Sequence, residues 1–207
     1  MEEFMLDFIM SLQEAGWFEW LCVLTGLLSV WYSKNEVIWV YPVGMINTIG
    51  YIIISIQGQL PGEAILNLYY TVLSIIGWIK WSRRDQMQNV LLRISKSTPT
   101  EIIKHFQFFI MCYLVLFAGI VYFKKLFMDG AIPAADAMAS ATAFTAMWLM
   151  IKKKIESWWW WIVSNIVSIP LYAVKGYALS ALYYLILLGL AIAGLYTWKQ
   201  KAKKYNA

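Results

Sequence analysis

Seven apolar stretches alternate with short polar breaks along the chain, at 18–33, 37–57, 64–81, 106–123, 134–151, 157–174 and 177–198. Each approaches the roughly 20 apolar residues that a helix needs to cross the hydrocarbon core of a bilayer. The pattern predicts seven transmembrane helices. An earlier apolar run, Phe4 to Leu12, is too short to span, and Glu2 and Glu3 stand where a secretory leader would be basic. Residues 1–17 therefore read as an uncleaved interfacial lead-in.

The stretches repeat one another. Thr25 and Thr142, Trp31 and Trp148, Gly77 and Gly194, and Trp81 and Trp198 are each 117 residues apart, and Asn47 and Asn165, like Gly58 and Gly176, are 118 apart. A duplication of three spans is implied, the first copy at 18–81 and the second at 134–198. Three is odd, so a direct join would invert the second copy; the lone span at 106–123, reached through a polar cytoplasmic connector at 82–105, restores its direction. The expected fold is an all-α membrane protein in a 3+1+3 plan with two parallel three-helix repeats, the SWEET-like arrangement in which a substrate sits between the halves near mid-membrane. Pro61 is expected in the loop before the third span and Pro133 in the first turn of the fifth. Pro42 and Pro170 fall inside spans two and six, where each frees a backbone carbonyl.

Composition agrees with a bilayer: 61% of the residues are hydrophobic and 14% charged, too apolar for a soluble domain. The net charge of +5 suggests nucleic acid until the basic residues are placed. With the N-terminus outside, fourteen of the seventeen Lys and Arg fall on the cytoplasmic side, leaving Lys124, Lys125 and Lys175 outside. That is the positive-inside bias of a multi-pass membrane protein. The tail at 199–207 is then basic and cytoplasmic, and no nucleic-acid partner is expected.

No Asp, Glu, His, Lys or Arg lies at mid-depth in any span. Proton relays and carboxylate ion sites use such groups, and a membrane hydrolase would need a nucleophile with its base or a set of metal ligands. An enzyme is not expected, nor a metal or cofactor. Cys22, Cys112 and His105 read as structural. Amides and rings remain. Asn47 and Tyr51 share a face of span two, Asn67 and Tyr70 a face of span three, and Trp158, Trp161 and Asn165 a face of span six; Trp39 and Tyr184 complete the candidate substrate site. Trp and Tyr also anchor helices at the membrane surface, and Asn also serves as interhelical glue. As a site, amides would bond ligand hydroxyls and rings would hold a flat cation, so the expected ligand is a small aromatic cation with hydroxyl groups.

The stretch from Trp31 to Trp81, with Asn47-x-x-x-Tyr51, Ala64-Ile65-Leu66-Asn67-Leu68-Tyr69-Tyr70 and Ser74-Ile75-Ile76-Gly77-Trp78-Ile79-Lys80-Trp81, resembles the nicotinamide riboside transporter family, PnuC. So does Lys152 to Trp198, with Glu156-Ser157-Trp158-x-x-Trp161-x-x-x-Asn165 and Ile169-Pro170-Leu171-Tyr172-x-x-Lys175-Gly176. The resemblance implies a bacterial inner-membrane facilitator for nicotinamide riboside, a homotrimer embedded in lipid, working by uncoupled diffusion with trapping by a cytoplasmic kinase. Family members commonly carry Gln where this chain has Asn67, one methylene longer. A thiamine or related vitamin facilitator of the same fold is the alternative, followed by a sugar carrier or a non-transporting membrane receptor.

Overall fold

Among the described residues, three of seven helices open on a proline, where the missing N–H costs nothing because the first turn has no intrahelical acceptor for it. The computed structural model describes residues 16–57, 61–84, 91–127 and 132–205. Its helices are α1 (Trp17–Asn35), α2 (Val40–Gln57), α3 (Pro61–Ser82), α4 (Pro99–Phe127), α5 (Pro133–Met150), α6 (Glu156–Val174) and α7 (Ala178–Tyr205). All seven lie where the apolar stretches predict them.

Several boundaries differ from expectation. Helix α4 starts at Pro99 rather than at 106, because Thr98 and Glu101 form a reciprocal capping box: the Thr98 N–H donates to Glu101 Oε2 at 2.8 Å and the Glu101 N–H to Thr98 Oγ1 at 3.3 Å. Helix α7 continues through the expected tail as far as Tyr205, held by Lys201, whose ammonium donates to the Asn35 carbonyl at 2.7 Å. Pro61 begins α3 instead of lying in the loop before it. Pro42 is the third residue of α2, inside the first turn, and so frees no helical carbonyl; Pro170 does lie within α6. The lead-in up to residue 15, Gly58, and residues 206 and 207 lie outside the described residues.

Four helices are long and apolar enough by themselves to cross a membrane: α2, α3 from Ala64, α4 to Phe123, and α7 to Lys204. Helices α1, α5 and α6 fall short of that measure because they carry more small and polar residues. In α5, nine residues are buried, mostly Ala and Thr. The Thr142 and Thr145 hydroxyls there bond carbonyls one turn back, at Met138 and Ala141, which satisfies them inside protein. A helix wrapped by other helices does not need lipid-facing hydropathy.

Helices α1, α2 and α3 pack in sequence order, as do α5, α6 and α7, while α4 lies against α5. The two groups meet along α1 and α7 and, more narrowly, along α3 and α5. Two contacts recur 117 residues apart. Tyr41 stands edge-on to Trp81 at 5.2 Å, and Trp158 edge-on to Trp198 at 5.5 Å; a Cβ on Gly77 would strike the Tyr41 ring, and one on Gly194 the Trp158 ring. Both glycines exist to admit a ring. The caps of α1 and α5 correspond in the same way. Glu36 (φ 63°) and Lys153 (φ 50°) are both left-handed, with N–H groups bonded to Ser33 and Met150, and the next N–H groups reach back to Tyr32 and Leu149. Each is a Schellman turn with a charged residue where glycine is usual.

Residues 91–98 of the connector lie against the bundle. Ser95 exchanges backbone hydrogen bonds with Lys153 and Ile155, each 3.1 Å, and Ile94 is buried against the cluster of Tyr41, Trp81 and Trp198. Residues 91–98 thereby strap the basic end of the bundle.

Candidate functional site

Tyr70 of α3 and Trp161 of α6, singled out separately by the sequence, meet across the two helix groups with ring centroids 6.3 Å apart. Phe144 of α5 completes the cluster. It stacks on Tyr69 at 4.0 Å and stands edge-on to Tyr70 at 6.1 Å, while the Tyr69 hydroxyl donates to the Phe144 carbonyl at 3.0 Å. Asn67 lies one turn from Tyr70 and is buried. Rings and an amide from α3, α5 and α6 thus converge at the narrower junction of the halves. Sequence reasoning did not assign Tyr69 or Phe144 to the site; the available signal was that Phe144 is the only aromatic residue between Pro133 and Met147.

The remaining predicted residues go elsewhere. Asn47 donates its amide to the Cys22 carbonyl on α1 at 2.6 Å, and so contributes to helix packing. Its counterpart is Ser164, whose hydroxyl donates to the Ala139 carbonyl at 3.0 Å; donors and acceptors in these two bonds are each 117 apart. The equivalence of Asn47 with Asn165 is therefore off by one residue, and Asn165 corresponds to Thr48, which bonds Thr71 of α3 at 2.8 Å. Asn165 is 3% exposed, and no protein hydrogen bond to its amide occurs among the described residues.

Trp158 and Trp161 do not act on one surface. Three helical steps leave them about 60° apart, enough to aim Trp158 at Gly194 and Trp198 of α7 while Trp161 reaches α3. Trp158 is 1% exposed with its indole N–H unpartnered among the described residues, and belongs to the packing between α6 and α7. Trp39 is 59% exposed at the α1–α2 turn and joins no other candidate. Tyr184 stacks on Tyr172 at 5.0 Å.

Tyr51 lines a second locus, a cavity of about 150 Å3 between α1, α2 and α7. Glu19, Trp20 and Tyr183 line it as well. The Tyr183 hydroxyl and the Asn47 amide both close on Gly26, where a Cβ would strike them. Tyr183, like Glu19 and Trp20, was not assigned by the sequence, since the helices that meet here are remote in the chain.

Among the described residues no group of His, Cys, Asp or Glu could hold a metal, and Cys22 and Cys112 are free thiols. His105 is buried and edge-on to Trp148 at 5.9 Å.

An all-helical, multi-pass bundle with rings and an amide gathered where two helix groups meet has the build of a membrane transporter for a small molecule. The chain belongs to the nicotinamide mononucleotide transporter family, whose sequence profile matches residues 16–200. It is similar to the nicotinamide riboside transporter PnuC of Escherichia coli strain K12, 25% identical over 92% of this chain and 88% of the relative. PnuC of Neisseria mucosa is 25% identical over 92% of this chain and 75% of its own length. A riboflavin/roseoflavin transporter, RibM of Streptomyces davaonensis, is 22% identical over 95% and 91%. Among solved structures, a vitamin B3 transporter PnuC superposes with a TM-score of 0.72 at 22% identity, covering 98% of this chain and 89% of that one.

Proposed function

We propose that the protein carries nicotinamide riboside across a bacterial inner membrane. The observation that carries this reading is the cluster of Tyr69, Tyr70, Phe144 and Trp161, with Asn67 beside it, at the junction of the halves in a chain of this transporter family. Rings of this kind hold a flat pyridinium, and amides bond the ribose hydroxyls. Asn67, Tyr70, Trp161 and Asn165 are the proposed ligand contacts, with Tyr51 and Tyr184 near the path. Asn47, Trp39 and Trp158 support the frame.

Contacts that recur at a spacing of 117 residues support two parallel three-helix repeats, 18–81 and 134–198, joined by α4. The positive-inside bias supports an outside N-terminus and a cytoplasmic C-terminus, which makes the Glu36 and Lys153 end cytoplasmic. We propose a homotrimer on family resemblance. Transport is uncoupled and chemistry other than transport is absent, because the spans offer no titratable group at mid-depth; accumulation then depends on phosphorylation by a cytoplasmic kinase.

Liposomes with the purified protein test the reading. A cation feels about 2.3 kcal/mol per charge per 100 mV, so the membrane potential is clamped near zero and labelled nicotinamide riboside, thiamine and riboflavin are compared. Saturable uptake of nicotinamide riboside to equilibrium, with the other two poorly taken, supports it. Preferential uptake of thiamine or riboflavin changes the ligand, and concentration of ligand under an imposed proton or sodium gradient overturns uncoupled transport.

A further inference from the structure

We infer that the cavity between α1, α2 and α7 recognises the positive charge of the ligand, with Glu19 as the selecting group. This deepens the proposed transport of a pyridinium nucleoside. Of the carboxylates on described side chains, Glu36 pairs with Lys153, Glu101 with Lys154 and Asp136 with Lys175, and Glu156 accepts hydrogen bonds from Ser97. Glu19 alone has neither an ion pair nor a hydrogen bond among the described residues. It is half-buried and faces the cavity.

The first basic side chain in the sequence is Lys34, near the far end of α1 and about 22 Å away at 1.5 Å per helical residue. The surroundings favour a cation. Trp20, Tyr51 and Tyr183 present rings to the same space, and ring faces attract positive charge, more strongly where water is thinned. The other lining residues named with them are aliphatic, apart from the Ser180 hydroxyl. An unpaired carboxylate among electron-rich rings fits an aromatic cation better than a neutral ring or an anion. The cavity lies at the opposite end of α1 from the Glu36–Lys153 pair.

Glu19 also sits in the first turn of α1, where any carboxylate favours the helix dipole. That role would affect stability without distinguishing ligands by charge. The test therefore reads charge preference. Binding of N-methylnicotinamide cation and of uncharged nicotinamide to the purified full chain is titrated for wild type and Glu19→Gln. Wild type is expected to prefer the cation, and Glu19→Gln to lose roughly tenfold of that preference with neutral binding unchanged. No preference in wild type, or a preference that survives Glu19→Gln, overturns the inference. Uptake of nicotinamide riboside is measured alongside; its absence in wild type sinks the proposed function and leaves the binding comparison intact.

Discussion

Glu36 and Lys153, 117 residues apart, hold each other at 2.7 Å from the left-handed positions of two matching helix caps. Their side chains are 10% and 4% exposed. The Lys153 ammonium also lies 4.6 Å from the Trp81 ring centre, and Glu36 takes a second partner, Lys201, at 3.3 Å. Close by, the Trp198 indole donates to the Ser33 carbonyl at 3.0 Å. The first helix group is thereby tied to the second at the basic end, where an inward opening would have to part them.

Breaking this pair leaves a buried charge unmatched, so Glu36→Gln is expected to cost about 3–5 kcal/mol, read as a lower thermal unfolding temperature in detergent. The exchange Glu36→Lys with Lys153→Glu is expected to recover only part of it, because Lys201, 3.3 Å from Glu36, would then face a lysine. Burial pushes the Lys153 ammonium below the ordinary lysine value, and the hydrogen bond and charge of Glu36 oppose that fall. The folded protein then releases this proton before the unfolded chain does, so the group's contribution to stability rises with pH up to the ordinary lysine range. In Glu36→Gln the rise should begin at lower pH. A flat pH profile in both proteins would contradict the assignment.

Trp161 touches Tyr70, whereas Trp159 is 51% exposed and lies under Lys199 at 5.2 Å. Trp161→Leu is expected to weaken nicotinamide riboside binding by roughly tenfold or more, the scale of losing a desolvated ring contact, and Phe144→Leu to weaken it as well. Trp159→Leu should leave it near wild type. Calorimetric titration of the three variants decides, and equal losses at 159 and 161 would remove the cluster as the site.

The two asparagines are expected to separate. Asn165→Leu should weaken binding by about 1–3 kcal/mol through the lost ligand bond, with little loss of stability because no protein partner is abandoned. Asn47→Leu gives up the bond to Cys22 and presses on Gly26, so its main effect should be on stability, by about 1–2 kcal/mol. Paired melting and binding measurements on both proteins test this; matching profiles would restore a common role.

Gly77 and Gly194 leave no room for a Cβ against Tyr41 and Trp158, whereas Gly119 has nothing within 4 Å. Gly77→Ala and Gly194→Ala are each expected to destabilise by about 1–3 kcal/mol through overpacking. Gly119→Ala should be neutral or slightly stabilising, since alanine is the better helix former. Thermal melts of the three variants check the order.

Hydropathy alone located seven helices, because the need to bury or expose twenty apolar residues at a time is written in the order of residues and requires no knowledge of neighbours. The spacing of 117 was equally legible, and with it the pairs Gly77 and Gly194 and Trp81 and Trp198, since the same residue types recur at that interval in the sequence. Family membership followed from those same stretches. Tertiary structure decided what each face met. Helical periodicity puts Trp158, Trp161 and Asn165 on one side of α6, but only the positions of α3 and α7 determine that a 60° difference sends one indole into a glycine notch and the other to Tyr70. Identity of residue type misled at Asn47 and Asn165: the bond that matters runs from position 47 to Cys22 and from position 164 to Ala139, and a serine suffices for the second. The partnership of Glu36 and Lys153 spans 117 residues, so nothing local in the sequence announces it. Glu19 and Phe144 gained meaning in the same way, when helices distant in the chain closed around them.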